Sequence, residues 1–178
     1  MKFKRFKKIK DLTLINNESF KDDRGAFSRI FCLKEFKKFK FNVAQGNLSF
    51  NEKKYTIRGF HYQKGKSSEK KILTPIKGKI FNVVIDLRKK SNSFLKYEKV
   101  ILSSSNYQSL YVPEGCANAY LTLENDTIIH YYMGNFYNKN SYSGFRYNDK
   151  FFKIDWPFKP KVISQKDNEY EDFNPKRI

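Results

Sequence analysis

The chain has two histidines, His61 and His130, and His61 sits in the run Arg58-Gly59-Phe60-His61-Tyr62-Gln63. An imidazole gains and loses a proton near neutral pH, so a histidine directed into a cavity near basic residues is a candidate general base. A lone histidine is more often a satisfied core residue, and further polar groups are needed to favour chemistry. The sequence supplies several in apolar surroundings. Gln45-x-Asn47-x-Ser49 puts polar side chains on one face of an otherwise aromatic stretch. Lys71 follows His61 by ten residues and opens the apolar run KILTPI. Tyr131 lies in a later apolar run, and Asp22-Asp23-Arg24-Gly25 reads as a turn that carries an arginine. Polar groups at matching positions of several apolar segments predict a wet lumen that holds a ligand.

The elements that would position these groups are strands. Phe41 to Phe50, Tyr55 to Tyr62, Lys79 to Leu87, Tyr97 to Ser103, Leu110 to Val112, Tyr120 to Leu123 and Thr127 to Tyr132 are rich in β-branched and aromatic residues. Turn residues separate them, among them Lys77-Gly78, Ser91-Asn92-Ser93, Pro113-Glu114-Gly115 and Glu124-Asn125-Asp126. Short strands at this pitch predict an all-β antiparallel sandwich or barrel. Strand alternation predicts that Arg58, Phe60 and Tyr62 share one face, with Gly59, His61 and Gln63 on the other. Leu33 to Phe41 spaces Leu33, Phe36 and Phe39 as one short helical turn. No repeat or linker interrupts the chain, and 178 residues suit a single domain. Its expected parts are N-terminal strands over residues 1–20, a barrel over about 21–150 and an irregular wrap over 151–178.

Composition narrows the function less. The net charge is +18, from 36 Lys and Arg against 18 Asp and Glu. Such a field attracts anions: nucleic acid, an acidic membrane or a phosphorylated small molecule. Most of the excess reads as a solvated lysine surface. Cys32 and Cys116 are far apart, which points to thiols in a reducing compartment rather than a disulfide or a metal site. The basic start MKFKRFKKIK precedes no apolar signal core, and no run is long enough to span a membrane. A cytoplasmic protein that uses no metal, cofactor, membrane or nucleic acid is expected.

Longer stretches carry a family resemblance. DDRGAF (Asp22 to Phe27), QGNLS (Gln45 to Ser49), RGFHYQ (Arg58 to Gln63) and KILTPIKGKIFNVVIDLR (Lys71 to Arg88) belong to it. So do LSSSNYQSLYVPEGCANAYLTL (Leu102 to Leu123), IDWP (Ile154 to Pro157) and SQKD (Ser164 to Asp167). From Asp22 to Asp167 the chain resembles the dTDP-4-dehydrorhamnose 3,5-epimerases. The resemblance implies a cupin, a jelly-roll barrel of the double-stranded β-helix type with short peripheral helices. It implies a cofactor-free epimerase of a nucleotide-linked 4-keto sugar, active in surface-polysaccharide synthesis and forming a homodimer. His61 matches the base, Asp167 its carboxylate partner, Tyr131 the acid on the opposite face and Lys71 the cation beside the keto oxygen. Arg24 and Arg58 match positions that hold the diphosphate or the sugar, and Gln45 and Asn47 match polar substrate contacts. Phe27 falls in the same matching text as Arg24.

The pattern is departed from in three regions. Asn118 stands where the family commonly has a histidine, which removes a titratable group. Arg29 replaces a common glutamate, and Ser141 and Tyr142 occupy the region of another. These changes leave the reaction in place and the sugar open: a dTDP-linked 4-keto-6-deoxyhexose or a GDP-linked 4-keto-heptose, inverted at carbon 3 alone or at carbons 3 and 5. Competing expectations are a 3,4-ketoisomerase, a silent sugar-nucleotide binder and a basic nucleic-acid-binding barrel. The single histidine after Arg58-Gly59 speaks against the first, retention of His61 and Tyr131 against the second, and the lack of an aromatic-basic surface motif against the third.

Overall fold

The computed structural model describes residues 1–177, so the last residue of the expected wrap, 178, lies outside the described residues. In chain order the strands are β1 (Lys2–Arg5), β2 (Thr13–Asn16), β3 (Ser19–Asp22), β4 (Gly25–Ser28), β5 (Gln45–Asn51), β6 (Ile57–Gln63) and β7 (Lys71–Lys77). They continue with β8 (Lys79–Asp86), β9 (Tyr97–Ser103), β10 (Gln108–Val112), β11 (Cys116–Thr122), β12 (Thr127–Met133) and β13 (Tyr142–Gly144). Two short helices, α1 (Leu33–Phe36) and α2 (Gln165–Glu169), lie outside the sheets.

A six-stranded sheet in the order β1-β2-β10-β7-β12-β5 faces a five-stranded sheet in the order β13-β6-β11-β8-β9. Their pairings are antiparallel. This is the all-β jelly roll of the cupins. Alternation along the strands builds its interior. Ile80 and Val84 of β8 and Tyr120 of β11 meet Leu73 of β7, Leu110 of β10 and Ile129 of β12 in one apolar cluster. Those side chains fill one part of the space between the sheets and leave the rest to polar groups.

The outward face of the five-stranded sheet is also apolar. Phe60, Val83, Ile85, Ala117 and Ala119 are covered there by Phe145 and by Phe152, Ile154 and Phe173 of the C-terminal wrap. Burying such aromatic side chains is what holds an irregular segment in place. The helical turn expected over Leu33 to Phe41 is shorter than its pattern: α1 ends at Phe36 and a 3-10 turn covers Lys37–Phe39. Its Phe36 packs against Ile15, Phe41, Ile72 and Tyr111 on the outer face of the six-stranded sheet.

The N-terminal residues divide differently from the expected boundary near residue 20. β2 pairs with both β1 and β10, which makes it an internal member of the six-stranded sheet. β3 and β4 form a separate hairpin that joins neither sheet. Ile15 pairs its backbone with Ser109 and buries its side chain completely, so the first strands contribute core as well as edge.

Candidate active site

His61 stands on β6, a strand of the five-stranded sheet, and its ring reaches the space between the sheets. Its Nε2–H donates to Asp167 Oδ1 over 2.7 Å. Asp167 comes from α2, where the Ser164 hydroxyl accepts from the Asp167 N–H at 3.1 Å and caps the helix. The second carboxylate oxygen accepts the Gly59 N–H at 3.0 Å. Burial pushes the Asp167 carboxyl up, but hydrogen bonding and charge from His61, with support from the Gly59 and Ser164 contacts, outweigh it and hold the group below its usual 3.8. An ionised carboxylate can only accept, so the proton of the neutral imidazole resides on Nε2 and Nδ1 is left to take another.

β6 departs from simple alternation between Arg58 and His61. His61 pairs with Asn118 and Arg58 with Tyr120, so three steps along β6 match two along β11. This bulge turns Arg58 into the same cavity as His61, while Phe60 joins the outer core. The expected grouping of Arg58 with Phe60 and Tyr62 is therefore corrected. Gly59 makes the crossing possible: its φ is +113°, and a Cβ there would lie 2.5 Å from the Asn118 carbonyl oxygen.

Arg58 donates through Nε to Asn51 Oδ1 at 2.8 Å and through Nη2 to the Phe50 carbonyl at 3.2 Å. Both acceptors are neutral groups of β5, so the guanidinium is oriented and its charge is unspent. Tyr131 faces the cavity from β12, on the opposite sheet to His61. Burial pushes its phenol up; the nearby Arg58 charge draws it down and the Glu69 charge pushes it up. Lys71, at the start of β7, also lines the cavity and pairs with Glu69 at 2.8 Å. The cavity measures about 300 Å³, at the lower end of the range for small-molecule sites. A neighbouring hollow of about 330 Å³ shares Tyr142 but is walled by C-terminal residues and contains none of His61, Lys71 and Tyr131.

The remaining expected site residues fall in three places. Asn118 lines the cavity, but its Nδ2 donates to Asn82 Oδ1 at 2.8 Å and the Val83 carbonyl at 2.9 Å, leaving its oxygen for a ligand. Gln45 and Asn47 share the inward face of β5 with Ser49, yet only Ser49 borders the cavity. Gln45 Oε1 accepts the backbone N–H of Tyr137, a cavity residue, and Asn47 sits opposite Tyr131 with a buried Nδ2 that has no partner among the described residues. Arg24, Phe27 and Arg29 are outside the cavity. Arg24 bonds Asp22 at 2.6 Å with its side chain 90% exposed, Phe27 is 68% exposed, and Arg29 approaches Glu35 at 3.8 Å. The same hairpin that joins neither sheet carries Arg24 and Phe27, with Arg29 just beyond it.

The cavity also recruits Glu69, Tyr120, Tyr137, Tyr142 and Lys166, which sequence reasoning did not select as site residues. Tyr120 bonds Ser49 Oγ at 2.8 Å and so ties the two sheets across the lumen. The Tyr142 ring lies 5.2 Å from the His61 ring at a 41° tilt, with the Lys166 Nζ 4.3 Å over the Tyr142 ring. An acidic residue two positions before Lys71 was the available signal for Glu69; nothing local marks Lys166 beyond its place beside Asp167.

Residues 7–175 match the family model for dTDP-4-dehydrorhamnose 3,5-epimerase. The chain belongs to this epimerase family. Among curated members, the Shigella flexneri enzyme is 33% identical over 162 residues, covering 89% of each chain. The Escherichia coli K12 enzyme is 34% identical over 152 residues, covering 84% of this chain and 82% of its own. The Bacillus anthracis dTDP-4-dehydrorhamnose 3,5-epimerase, solved with TDP and pyrophosphate bound, superposes with a TM-score of 0.92 at 32% identity over 97% of this chain and 99% of that one. The Legionella pneumophila epimerase, solved with dTDP-4-keto-L-rhamnose, gives 0.89 at 27% identity over 96% and 92%. As a member of the family the chain is an isomerase-class enzyme, an epimerase of a nucleotide-linked 4-keto sugar. Among the described residues no helix is long and apolar enough to cross a membrane.

Proposed function

We propose that this epimerase acts on a dTDP-linked 4-keto-6-deoxyhexose, inverting carbon 3 and then carbon 5. The observation that carries the reading is the placement of His61 and Tyr131 on opposite sheets around one cavity, with Lys71 on β7, the strand beside Tyr131's β12. Inversion needs a base on one face of the sugar and an acid on the other. His61 Nδ1 removes the proton from the carbon next to the ketone, the C–H electron pair moves into the enolate, and its charge rests on the keto oxygen. Asp167 balances the imidazolium that results. Lys71 stands by the oxygen where the charge develops, which is the most effective place for a fixed cation. Tyr131, kept protonated by burial, delivers its proton to the other face, and the enolate returns to the ketone. Arg58 and Lys166 supply cations for the diphosphate. Asn118 offers its free amide oxygen to the sugar.

The choice of dTDP follows the ligands named in the Bacillus and Legionella structures. Deuterium wash-in from heavy water tests the whole reading. Exchange at carbons 3 and 5 of dTDP-4-keto-6-deoxyglucose is expected; exchange on a GDP-linked 4-keto-heptose instead would overturn the substrate, and none on either would overturn the activity. The free thiols Cys32 and Cys116 suit a reducing cytoplasm, and activated sugars of this class feed surface-polysaccharide synthesis.

A homodimer fits the unused surface. β5 is an edge strand that exposes Leu48 and Phe50, and Ile76 of β7 is exposed in the same sheet, apolar side chains that a second copy would cover. Phe50→Glu is expected to convert a dimer to a monomer by sedimentation; an unchanged mass would place the interface elsewhere.

A further inference from the structure

Glu69 is a buried carboxylate on the cavity wall with more bonding capacity than the protein uses. Its side chain is 2% exposed, and one oxygen takes Lys71 Nζ at 2.8 Å. The other oxygen, Oε2, is buried and has no partner among the described residues. A carboxylate has room for about four hydrogen bonds and loses solvation when buried, so an unfilled oxygen is a standing demand for a donor. Glu69 borders the cavity together with Lys71, Leu73 and Tyr131.

We infer that Glu69 is a specificity-determining residue that accepts a hydrogen bond from the hydroxyl on carbon 3 of the sugar. The inference rests on the proposed function, because it takes the position of the ketone from Lys71. If the Lys71 ammonium meets the oxygen on carbon 4, the carboxylate attached to that ammonium lies over a carbon adjacent to the ketone. In a 4-keto-6-deoxyhexose those neighbours differ. Carbon 5 carries a methyl group, which has nothing to donate, and carbon 3 carries a hydroxyl. The hydroxyl supplies the donor that Oε2 lacks, while Oε1 stays on Lys71. The contact would hold carbon 3 in register with His61 and favour sugars that keep this hydroxyl.

The test compares wild type, Glu69→Gln and Glu69→Ala on dTDP-4-keto-6-deoxyglucose and on its 3-deoxy counterpart. Deuterium wash-in at carbon 3 is read for both substrates, and taking ratios within each substrate cancels their different acidities. Glu69→Ala is expected to lose roughly ten- to a hundredfold more kcat/KM on the hydroxyl substrate than on the 3-deoxy one, the worth of a hydrogen bond to a charged group. Glu69→Gln keeps an acceptor without the charge and should fall between. Equal losses on both substrates would mean that Glu69 acts only through Lys71, and would overturn the inference while leaving the activity intact. Failure of the wild type to exchange either substrate would overturn the proposed function itself. A measurement without variants guards against misfolding: wild type should bind the hydroxyl compound roughly ten- to a hundredfold more tightly, and equal affinities would also overturn the contact.

Discussion

Asp167→Asn is the sharpest perturbation of the proton-transfer apparatus, because it changes the direction of one hydrogen bond and little else. The asparagine oxygen can still accept the Gly59 N–H that Asp167 takes at 3.0 Å, so the β6 bulge keeps its anchor. The amide nitrogen then faces His61 Nε2 across the 2.7 Å contact. A donor at that position forces Nε2 to accept, which moves the imidazole proton to Nδ1, the nitrogen assigned to remove the substrate proton. The imidazolium also loses its counter-charge. Losing a correctly protonated general base costs about two to four orders of magnitude in rate. The stability cost is smaller: exchanging a charge-assisted hydrogen bond for a neutral one is worth about 1–2 kcal/mol, or a melting point lower by roughly 2–8 °C for a chain of this size.

The stability difference should also depend on pH. The folded-state carboxyl sits below its usual 3.8, so the unfolded chain binds the proton first as pH falls. The contribution is complete above the unfolded pKa, and it drains away as pH drops through that value and then the lower folded one. Thermal melts of the two proteins should therefore differ at pH 7 and converge below about pH 4. Wash-in at carbon 3, measured at pH 7, reads the chemical step. An Asp167→Asn variant that exchanges within about threefold of wild type would refute the assignment of Asp167 as the orienting partner, since base loss demands orders of magnitude.

Tyr131→Phe should separate the two half-reactions, with wash-in at carbon 3 persisting while net inversion, followed by NMR of the product, falls about a hundredfold or more; equal loss of both would remove Tyr131 as the acid. Lys71→Met keeps the side-chain length and removes the charge, so kcat should fall by about 10²–10³ with a smaller change in KM; a change in KM alone would show that Lys71 only binds substrate. Gly59→Ala drives a Cβ to 2.5 Å from the Asn118 carbonyl and 2.7 Å from Ala119 at a φ of +113°. That should cost about 2–4 kcal/mol by thermal or urea unfolding, and an undisturbed melt would mean that the bulge relaxes without penalty.

Strand identity was legible wherever β-branched runs met turn residues: the expected Lys79 to Leu87 and Tyr97 to Ser103 correspond to β8 and β9 almost residue for residue. Periodicity could not show that Arg58 and His61 share a wall, because alternation presumes an unbroken ladder and β6 is bulged. Gly59 within an otherwise strand-like run was the local sign of that break. His61 was visible from its context, but its partner lies 106 residues away and reaches it only through α2. The text SQKD contains the Ser164 cap, a signal for a helix start, and says nothing of what Asp167 would face. Arg24 and Phe27 are visible as a turn with an arginine and an aromatic. Their distance from the cavity within one chain follows from the hairpin's lack of pairing with either sheet, which no local pattern encodes.

The charge of the cavity has a consequence that the whole-chain +18 does not convey. Its two carboxylates are already committed, Asp167 to His61 and Glu69 to Lys71. Arg58 spends its hydrogen bonds on neutral acceptors, and Lys166 lies over the Tyr142 ring. Among the described residues neither of these cations is in a salt bridge. The site therefore offers two cations outside any salt bridge, a charge-balanced Lys71–Glu69 pair, and a His61–Asp167 pair that comes into balance only when the imidazole takes the substrate proton. That division suits a substrate whose permanent negative charge is remote from the carbon being deprotonated. A diphosphate can draw on Arg58 and Lys166 throughout the cycle, which is uniform binding and leaves the barrier unchanged. The Lys71 ammonium, half-neutralised by Glu69 in the ground state, gains a new partner only when the keto oxygen acquires charge. It is this interaction, stronger in the enolate than in the ketone, that lowers the barrier to proton removal by His61.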